Sequence, residues 1–444
     1  MAKIALIARL GVEDKGVVVD GKDYQKIANL DFLRTRKSNE VKLDQFFKEL
    51  KKLKLQPSEV AMDLLIIACT MYGADTRIDR SQVADDSWTR EIDLFIPVSN
   101  VDIWNNEKES LKQIFRFLTG DIWDIVFRER TNLNMISPNS KLKKYKMPYI
   151  TDTVCLFSGG MDSFIGAINL LSSGVQPLLL GHAKSADVSP NQKFCEESLK
   201  TAFPLLPFKR IYAFLRIPKT NLFEMEEKTE RGRSFLFLTL GGITASCLSD
   251  KSKLIVPENG LISLNIPLTP MRIGSHSTRT THPYYMSLMQ TLFDKLNMGV
   301  KLENPYQFKT KGEMLSECLN NKIVESTNTM SCSHPSGRFE KKGNAHCGYC
   351  VPCIIRRASY KHAGVFDNSD YRHNILDQQA LSSDAKRDNI IAFNYLLEKI
   401  SNNRNYLKTL IRSTGPLGSN VDEYVNVYLR GITEVKALLS KVKL

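Results

Sequence analysis

Ser158-Gly159-Gly160-Met161-Asp162-Ser163 follows Thr153-Val154-Cys155-Leu156-Phe157, a short apolar run of the kind that makes a buried strand. Downstream, Phe164, Ile165, Ala167, Ile168, Leu170 and Leu171 keep one apolar face through the start of a helix. A strand, a Gly-Gly turn and a helix in that order build an anion cradle. The glycines let the backbone bend and approach a ligand, and the helix N-terminus aims N–H groups and its positive dipole end at a phosphate. Ser158 and Ser163 add hydroxyl donors, and Asp162 is suited to orient a magnesium ion or a donor. The Walker A pattern GxxxxGK[ST] occurs nowhere in the chain, so this is a different kind of phosphate loop.

A second group of residues has metal chemistry. Cys332 is followed, after a segment rich in Ser, Pro, Gly, Lys and Asn, by Cys347-Gly348-Tyr349-Cys350-Val351-Pro352-Cys353. Four thiolates close a tetrahedral zinc site, and a CxxC knuckle places two sulfurs on one metal with little strain. Zinc is the expected metal, in a structural role because four cysteines leave no open position for water. An iron–sulfur cluster is the rival; with Arg357 where a fourth close cysteine would stand, it would have to recruit Cys332. His334 and His346 are nearby competitors as ligands.

With both groups in view, the chain resembles the PP-loop ATP pyrophosphatases, and among them the QueC-like family of 7-cyano-7-deazaguanine synthases, over roughly residues 150–365. SGGMDS matches the pyrophosphate loop. Arg231-Gly232-Arg233-Ser234-Phe235-Leu236-Phe237-Leu238 looks like a family segment that opens a buried helix, and Lys309-Thr310-Lys311-Gly312-Glu313-Met314 like another. Ser331-Cys332 with CGxCxxC looks like the family's zinc module. The element with which the queuosine-pathway enzymes read a deazaguanine is replaced here by Ser277-Thr278-Arg279-Thr280-Thr281-His282-Pro283-Tyr284-Tyr285, which lacks its aspartate. That departure, and the extra length on both sides, looks most like the defence-associated QatC branch. The resemblance implies ATP, Mg²⁺ and Zn²⁺ as cofactors, and a carboxylate, of 7-deazaguanine type, adenylated with release of pyrophosphate and passed to a nitrogen nucleophile. It implies ATP over Ser158 to Ser163, with Gly181 and His182 near the adenosine. Asp162, Ser163, Arg233 and Lys311 are the implied catalytic groups, with Lys309 beside them as a phosphate-neutralising cation. Glu258, Asn259, Thr281 and His282 are the candidate substrate contacts, and Cys332, Cys347, Cys350 and Cys353 the metal ligands. A protein encoded in the same operon is the expected partner. A tRNA-modifying thiolase or lysidine-type ligase, the housekeeping nitrile synthase and a non-catalytic nucleotide-binding scaffold are the competing readings.

These residues need elements to hold them. At 444 residues the chain is long enough for two or three domains, and 42% hydrophobic content suffices for packed cores. An α/β fold is expected. Residues 1–130 read as an N-terminal α/β domain and 131–149 as a linker. Residues 150–330 alternate strands and helices, which predicts a parallel sheet with helices on both faces, and the resemblance makes this a PP-loop, HUP-like core. Residues 331–365 form the zinc module and 366–444 a helical region. The strands expected in the core are 154–157, 177–180, 209–214 and 254–256. The absence of an 18-residue apolar run argues against a membrane partner, and nine cysteines in a chain without a leader predict a cytoplasmic protein with reduced thiols. The net charge of +13, with lysine clusters at 48–54 and 141–146, suits nucleotides or acidic proteins, and leaves nucleic acid as a candidate partner.

Overall fold

The computed structural model describes residues 3–33, 40–84, 86, 88–130, 151–183, 189–218, 227, 229–269, 279–334, 345–375 and 384–442. The expected linker, the 141–146 lysine cluster, residues 277–278 and most of the segment between Cys332 and Cys347 lie outside them.

Two five-stranded sheets, parallel throughout, carry the fold. The first contains β1 (Lys3–Leu10), β2 (Lys26–Phe32), β3 (Glu40–Val41), β4 (Glu91–Val98) and β5 (Ile122–Glu129), in the order β3-β2-β1-β4-β5. The second contains β6 (Thr153–Leu156), β7 (Leu178–Ala183), β8 (Lys209–Phe214), β9 (Ser252–Ile255) and β10 (Val300–Glu303), in the order β10-β9-β6-β7-β8. Each sheet therefore starts in its middle and reverses direction beside its first strand. In open parallel sheets, ligands bind outside the strand carboxyl ends at such a switch point. In the second sheet that point lies between β6 and β9, where Phe157-Ser158 and Val256-Pro257-Glu258 leave the sheet.

Helices fill the space between the sheets. The Glu59–Arg77 helix starts at Ser58, whose hydroxyl accepts from the Ala61 N–H at 3.2 Å, and it is buried on nearly every side. A helix apolar all round belongs in such an interior layer. It packs against the Arg233–Ser246 helix of the second unit, and Phe115 meets Phe235 edge-on at 5.0 Å, so one apolar core runs through both units. The far face of the second sheet is covered by the helices Met161–Ser172, Ser189–Ala202 and Lys311–Ser316.

The helices Asp384–Asn402, Arg404–Arg412 and Val421–Leu439 pack with Val351–Ala363 around a separate core. Strand β10 and the Val351–Ala363 helix were not foreseen. β10 offers only two apolar residues, Val300 and Leu302, between charged ones, and the helix begins inside the cysteine motif with Pro352 in its first turn. No helix among the described residues is long and apolar enough to cross a membrane.

Candidate active site and metal centre

The loop leaves β6 with the Phe157 N–H bonded to the Leu180 carbonyl at 2.7 Å. Gly159 takes a φ of +83°, which turns the chain so that Gly160 can precede the helix Met161–Ser172. A side chain at Gly159 would need the left-handed backbone and would lie 3.2 Å from the Gln192 backbone nitrogen. The hydroxyls of Ser158 and Ser163 are 3.2 Å apart, and both line a cavity of about 440 Å³. Arg231, Arg233, Glu258 and Thr281 line the same cavity.

Asp162 points away from it. The buried carboxylate pairs through Oδ1 with the buried Lys311 ammonium. Its Oδ2 accepts from Asn259 Nδ2 at 2.7 Å and from the Asn259 N–H at 3.2 Å. Burial alone would raise Asp162, but Lys311, helped by hydrogen bonds from Glu258 and Asn259, holds it below the ordinary carboxylate range. Glu258 goes the other way: burial first, then the Asp162 carboxylate, push it well above the ordinary range. The pair is thus an ionised Asp162 accepting a hydrogen bond from a protonated Glu258, and like charges pressed together separate in this manner.

The expected residues therefore divide. Ser158, Ser163, Arg233, Glu258 and Thr281 come together on the cavity wall. Asp162, Lys311 and Asn259 form a buried cluster behind Glu258, where Lys311 is the counter-ion of Asp162 and both Asp162 oxygens meet protein donors. Lys309 pairs with Glu317 on the surface. Gly181 is packed against Gln192, and His182 lies behind Phe237, their rings 6.0 Å apart, with Phe237 the residue that faces the cavity. His282 is buried; its Nδ1 accepts from the Tyr284 N–H at 3.2 Å at the start of the Pro283–Lys295 helix, and its Nε2 meets Thr414 at 3.0 Å. Local capping chemistry claims that histidine, away from substrate.

Arg231 is the cavity residue that sequence reasoning passed over in favour of Arg233. Its guanidinium stacks 4.3 Å from the Trp88 ring and donates from Nη1 to the Thr119 carbonyl at 2.8 Å, while its Nε has no partner among the described residues. Burial, then the neighbouring Arg80, lower it to about 10. A desolvated guanidinium with a donor to spare suits an anionic ligand.

Regions outside the core hold the cavity walls in place. Asp75, from the first unit, accepts from the Gly232 N–H at 2.7 Å, between the two arginines, and from Arg90 at 3.1 Å. Asp121 is bonded to Arg80 and Arg90; burial would raise it, but the two guanidiniums outweigh that and keep it low. At the C-terminal end, Glu434 accepts from the Thr310 hydroxyl and, at 3.2 Å, from the Gly312 N–H, so it brackets Lys311. Thr310 and Glu313 complete a reciprocal cap, bonded at 3.0 and 2.9 Å. Ser331, next to the first metal-type cysteine, accepts from the Met161 N–H at 3.3 Å, and the Met330 N–H donates to Gly159 at 2.9 Å.

The sulfurs of Cys332, Cys347, Cys350 and Cys353 all lie within 4.8 Å of one another. Cys332 and Cys350 are 3.9 Å apart, and Cys347 and Cys353 3.8 Å. A tetrahedron of sulfurs about 2.3 Å from a central zinc has edges of about 3.8 Å. The donor set therefore fits zinc in both type and spacing. The Cys347 and His334 N–H groups each donate to Cys332 Sγ at 3.2 Å, and Gly348, at φ +90°, turns where a side chain would run into the His373 carbonyl. His346 instead contacts the Thr329 carbonyl at 3.1 Å through Nε2.

No family model matches the chain. It is 23% identical over 242 residues to the 7-cyano-7-deazaguanine synthase of Picrophilus torridus, a stretch covering 50% of this chain and 92% of that protein. This distant similarity supports the QueC-like resemblance that the motifs carry, and with it an ATP-dependent enzyme of the PP-loop kind.

Proposed function

We propose that the protein adenylates a carboxylic acid with ATP, releases pyrophosphate, and passes the acyl group to a nitrogen nucleophile. The observation that carries this reading is the cavity at the β6–β9 switch point, which joins the Ser158 and Ser163 hydroxyls to the Arg231 and Arg233 guanidiniums. In the reaction, the phosphates lie against the loop and the helix N-terminus, where phosphate oxygens replace the long hydroxyl contacts to the Gly160 and Met161 N–H groups. The acid's carboxylate oxygen attacks the α-phosphorus, and pyrophosphate leaves. Arg231 and Arg233 stabilise the charge that accumulates on the phosphates, and the buried cluster behind Glu258 keeps the wall rigid, so catalysis is positioning and charge stabilisation. Mg²⁺ would supply further charge neutralisation, held chiefly through the nucleotide, because Asp162 is already engaged. Zinc, held by Cys332, Cys347, Cys350 and Cys353, would be structural, tying Met330 and Ser331 to the loop.

The acid is of 7-deazaguanine type, as in the Picrophilus torridus relative's name. The acceptor is an amine of a partner protein from the same operon, and the setting is anti-phage defence in the manner of the QatC branch. The thiolase reading is disfavoured because Cys155, in the strand that feeds the loop, and Cys195, whose Sγ lies 3.8 Å from the Gly159 carbonyl, are buried and pushed up to about 12. The test is incubation with ATP labelled at the α-phosphate, 7-carboxy-7-deazaguanine and the neighbouring operon proteins. AMP, pyrophosphate and a protein of increased mass are expected. ADP with orthophosphate would refute adenylation; free nitrile with no protein gaining mass would leave an ordinary nitrile synthase.

A further inference from the structure

The cavity wall that carries Arg231 is held from the first unit. Gly232, the N-cap of the Arg233–Ser246 helix, donates its N–H to Asp75. It lies so close to the Glu59–Arg77 helix that a Cβ there would stand 2.6 Å from Met71 Sδ. Arg231 itself reaches into the first unit, to the Thr119 carbonyl through Nη1 and to the Trp88 ring, whose centre is 4.3 Å from the guanidinium carbon. The Trp88 backbone is fixed on both sides: its N–H donates to Asp86 Oδ1 at 2.8 Å, and its carbonyl accepts from Arg80 Nη1 at 2.8 Å. All these first-unit residues lie outside the 150–365 stretch that carries the family motifs.

The neighbouring carboxylates are engaged elsewhere. Asp75 and Asp121 pair with Arg90, Asp121 also pairs with Arg80, and Glu227 stands 3.6 Å from Arg80. Arg231 is in none of the ion pairs among the described residues. A carboxylate in the place of Trp88 would hold the guanidinium but cancel its charge. The face of an indole attracts a cation through its quadrupole, keeps water off one side and leaves the charge in force. Arg231 thus lines the cavity with an uncancelled charge, one side packed on Trp88, and an Nε without a partner among the described residues.

We infer that Trp88 is a positioning residue for Arg231, and that through it the first unit completes the phosphate side of the active site. This rests on the adenylation proposed above. Trp88 is not in the cavity lining and touches no reacting atom. Its ring sets the direction in which Arg231 meets the phosphates. Holding that long side chain in place before the ligand arrives lowers the ordering cost of binding, and a desolvated charge acts more strongly than one in water.

The experiment scores ATP–pyrophosphate exchange with 7-carboxy-7-deazaguanine in Trp88→Ala, Trp88→Leu and Trp88→Phe, each alone and combined with Arg231→Ala. A desolvated cation–π contact is worth about tenfold or somewhat more. Trp88→Ala and Trp88→Leu should lower kcat/KM by about tenfold, with the same division between kcat and KM as Arg231→Ala. Trp88→Phe, which restores an aromatic face, should retain at least about a third of the activity. With Arg231→Ala already present, Trp88→Ala should cost less than about a further twofold, because the two changes remove one interaction. A merely structural tryptophan would cost as much with Arg231 as without it. Thermal melting checks folding, and Trp88→Leu, which keeps apolar bulk without the ring face, stands in if Trp88→Ala does not fold. Fluorescence gives a second reading, because Trp104 and Trp123, the other two tryptophans, are buried and absent from the cavity lining. Magnesium pyrophosphate should change the emission of the unaltered protein saturably, and leave that of Trp88→Phe unchanged. Full activity in Trp88→Leu, or an equal penalty with and without Arg231, overturns the inference. If the unaltered protein shows no exchange, the adenylation reading fails and the emission titration judges the clamp alone. No saturable change, or one that persists in Trp88→Phe, then overturns the clamp as well.

Discussion

Lys311 is a buried ammonium whose charge is balanced by Asp162, with protonated Glu258 one hydrogen bond further on. The sequential loss of these two carboxyl groups has a calculable, non-additive cost. Glu258→Gln replaces a neutral acid by a neutral amide and should cost no more than about 1 kcal/mol, the worth of one hydrogen bond. Asp162→Asn loses the anion and weakens two bonds from Asn259, but it also removes the like charge that keeps Glu258 protonated. Glu258 then ionises and becomes the counter-ion of Lys311, so the cost should stay near 2–3 kcal/mol at pH 8. The double variant leaves Lys311 buried with no carboxylate, and breaking a buried pair in this way costs about 3–5 kcal/mol beyond the lost hydrogen bonds. The double change should therefore exceed the sum of the single changes by about 2 kcal/mol, well outside the ~0.5 kcal/mol within which independent sites add. Urea unfolding of the three variants at pH 8 measures this. Lowering the pH should bring Asp162→Asn toward the double variant, because Glu258, whose burial favours the neutral acid, takes up its proton again. Additivity at pH 8 would refute the charge exchange.

Other consequences follow from the same geometry. Elemental analysis should find about one zinc per chain, and Cys350→Ser or chelation should lower the melting temperature and loosen the loop that Ser331 and Met330 hold; a brown protein with visible absorption would point to iron and sulfur instead. Gly159→Ala should cost about 1–2 kcal/mol, because it forces a side chain into the left-handed backbone, and should raise the KM for ATP; an unchanged KM would mean that the turn does not shape the nucleotide site. Burial, and secondarily Arg279, depress His282 to about 3. The unfolded chain, titrating near 6.5, takes up the proton first, so this histidine's contribution is full above pH 6.5 and is lost as pH falls toward 3. Between pH 6.5 and 5 the loss should be about 2 kcal/mol. His282→Asn keeps an N-cap acceptor but does not titrate, and should flatten that part of the stability curve; parallel curves would refute it.

What could be read from the sequence is what is local. The strand, Gly-Gly turn and helix around Ser158–Ser163 are contiguous, so the phosphate loop follows from residue type alone. Cys347, Cys350 and Cys353 stand at knuckle spacing, so three of the four metal ligands need no tertiary information. Alternation of strands and helices implied a parallel sheet, because a parallel pair requires a crossover. Thr310-Lys311-Gly312-Glu313 is a legible capping box that the sequence reading did not use. Tertiary structure decided the rest, through contacts between residues far apart in the chain. Asp75 reaches Gly232 across 157 positions, Met161 reaches Ser331 across 170, and Lys311 meets Asp162 across 149. Lysine type alone does not say whether Lys311 will meet a phosphate or a carboxylate, nor histidine type whether His282 will bind substrate or cap a helix. Those roles depend on which neighbours the fold supplies and on how much water it removes, since desolvation and a nearby charge together decide which of Asp162 and Glu258 carries the proton.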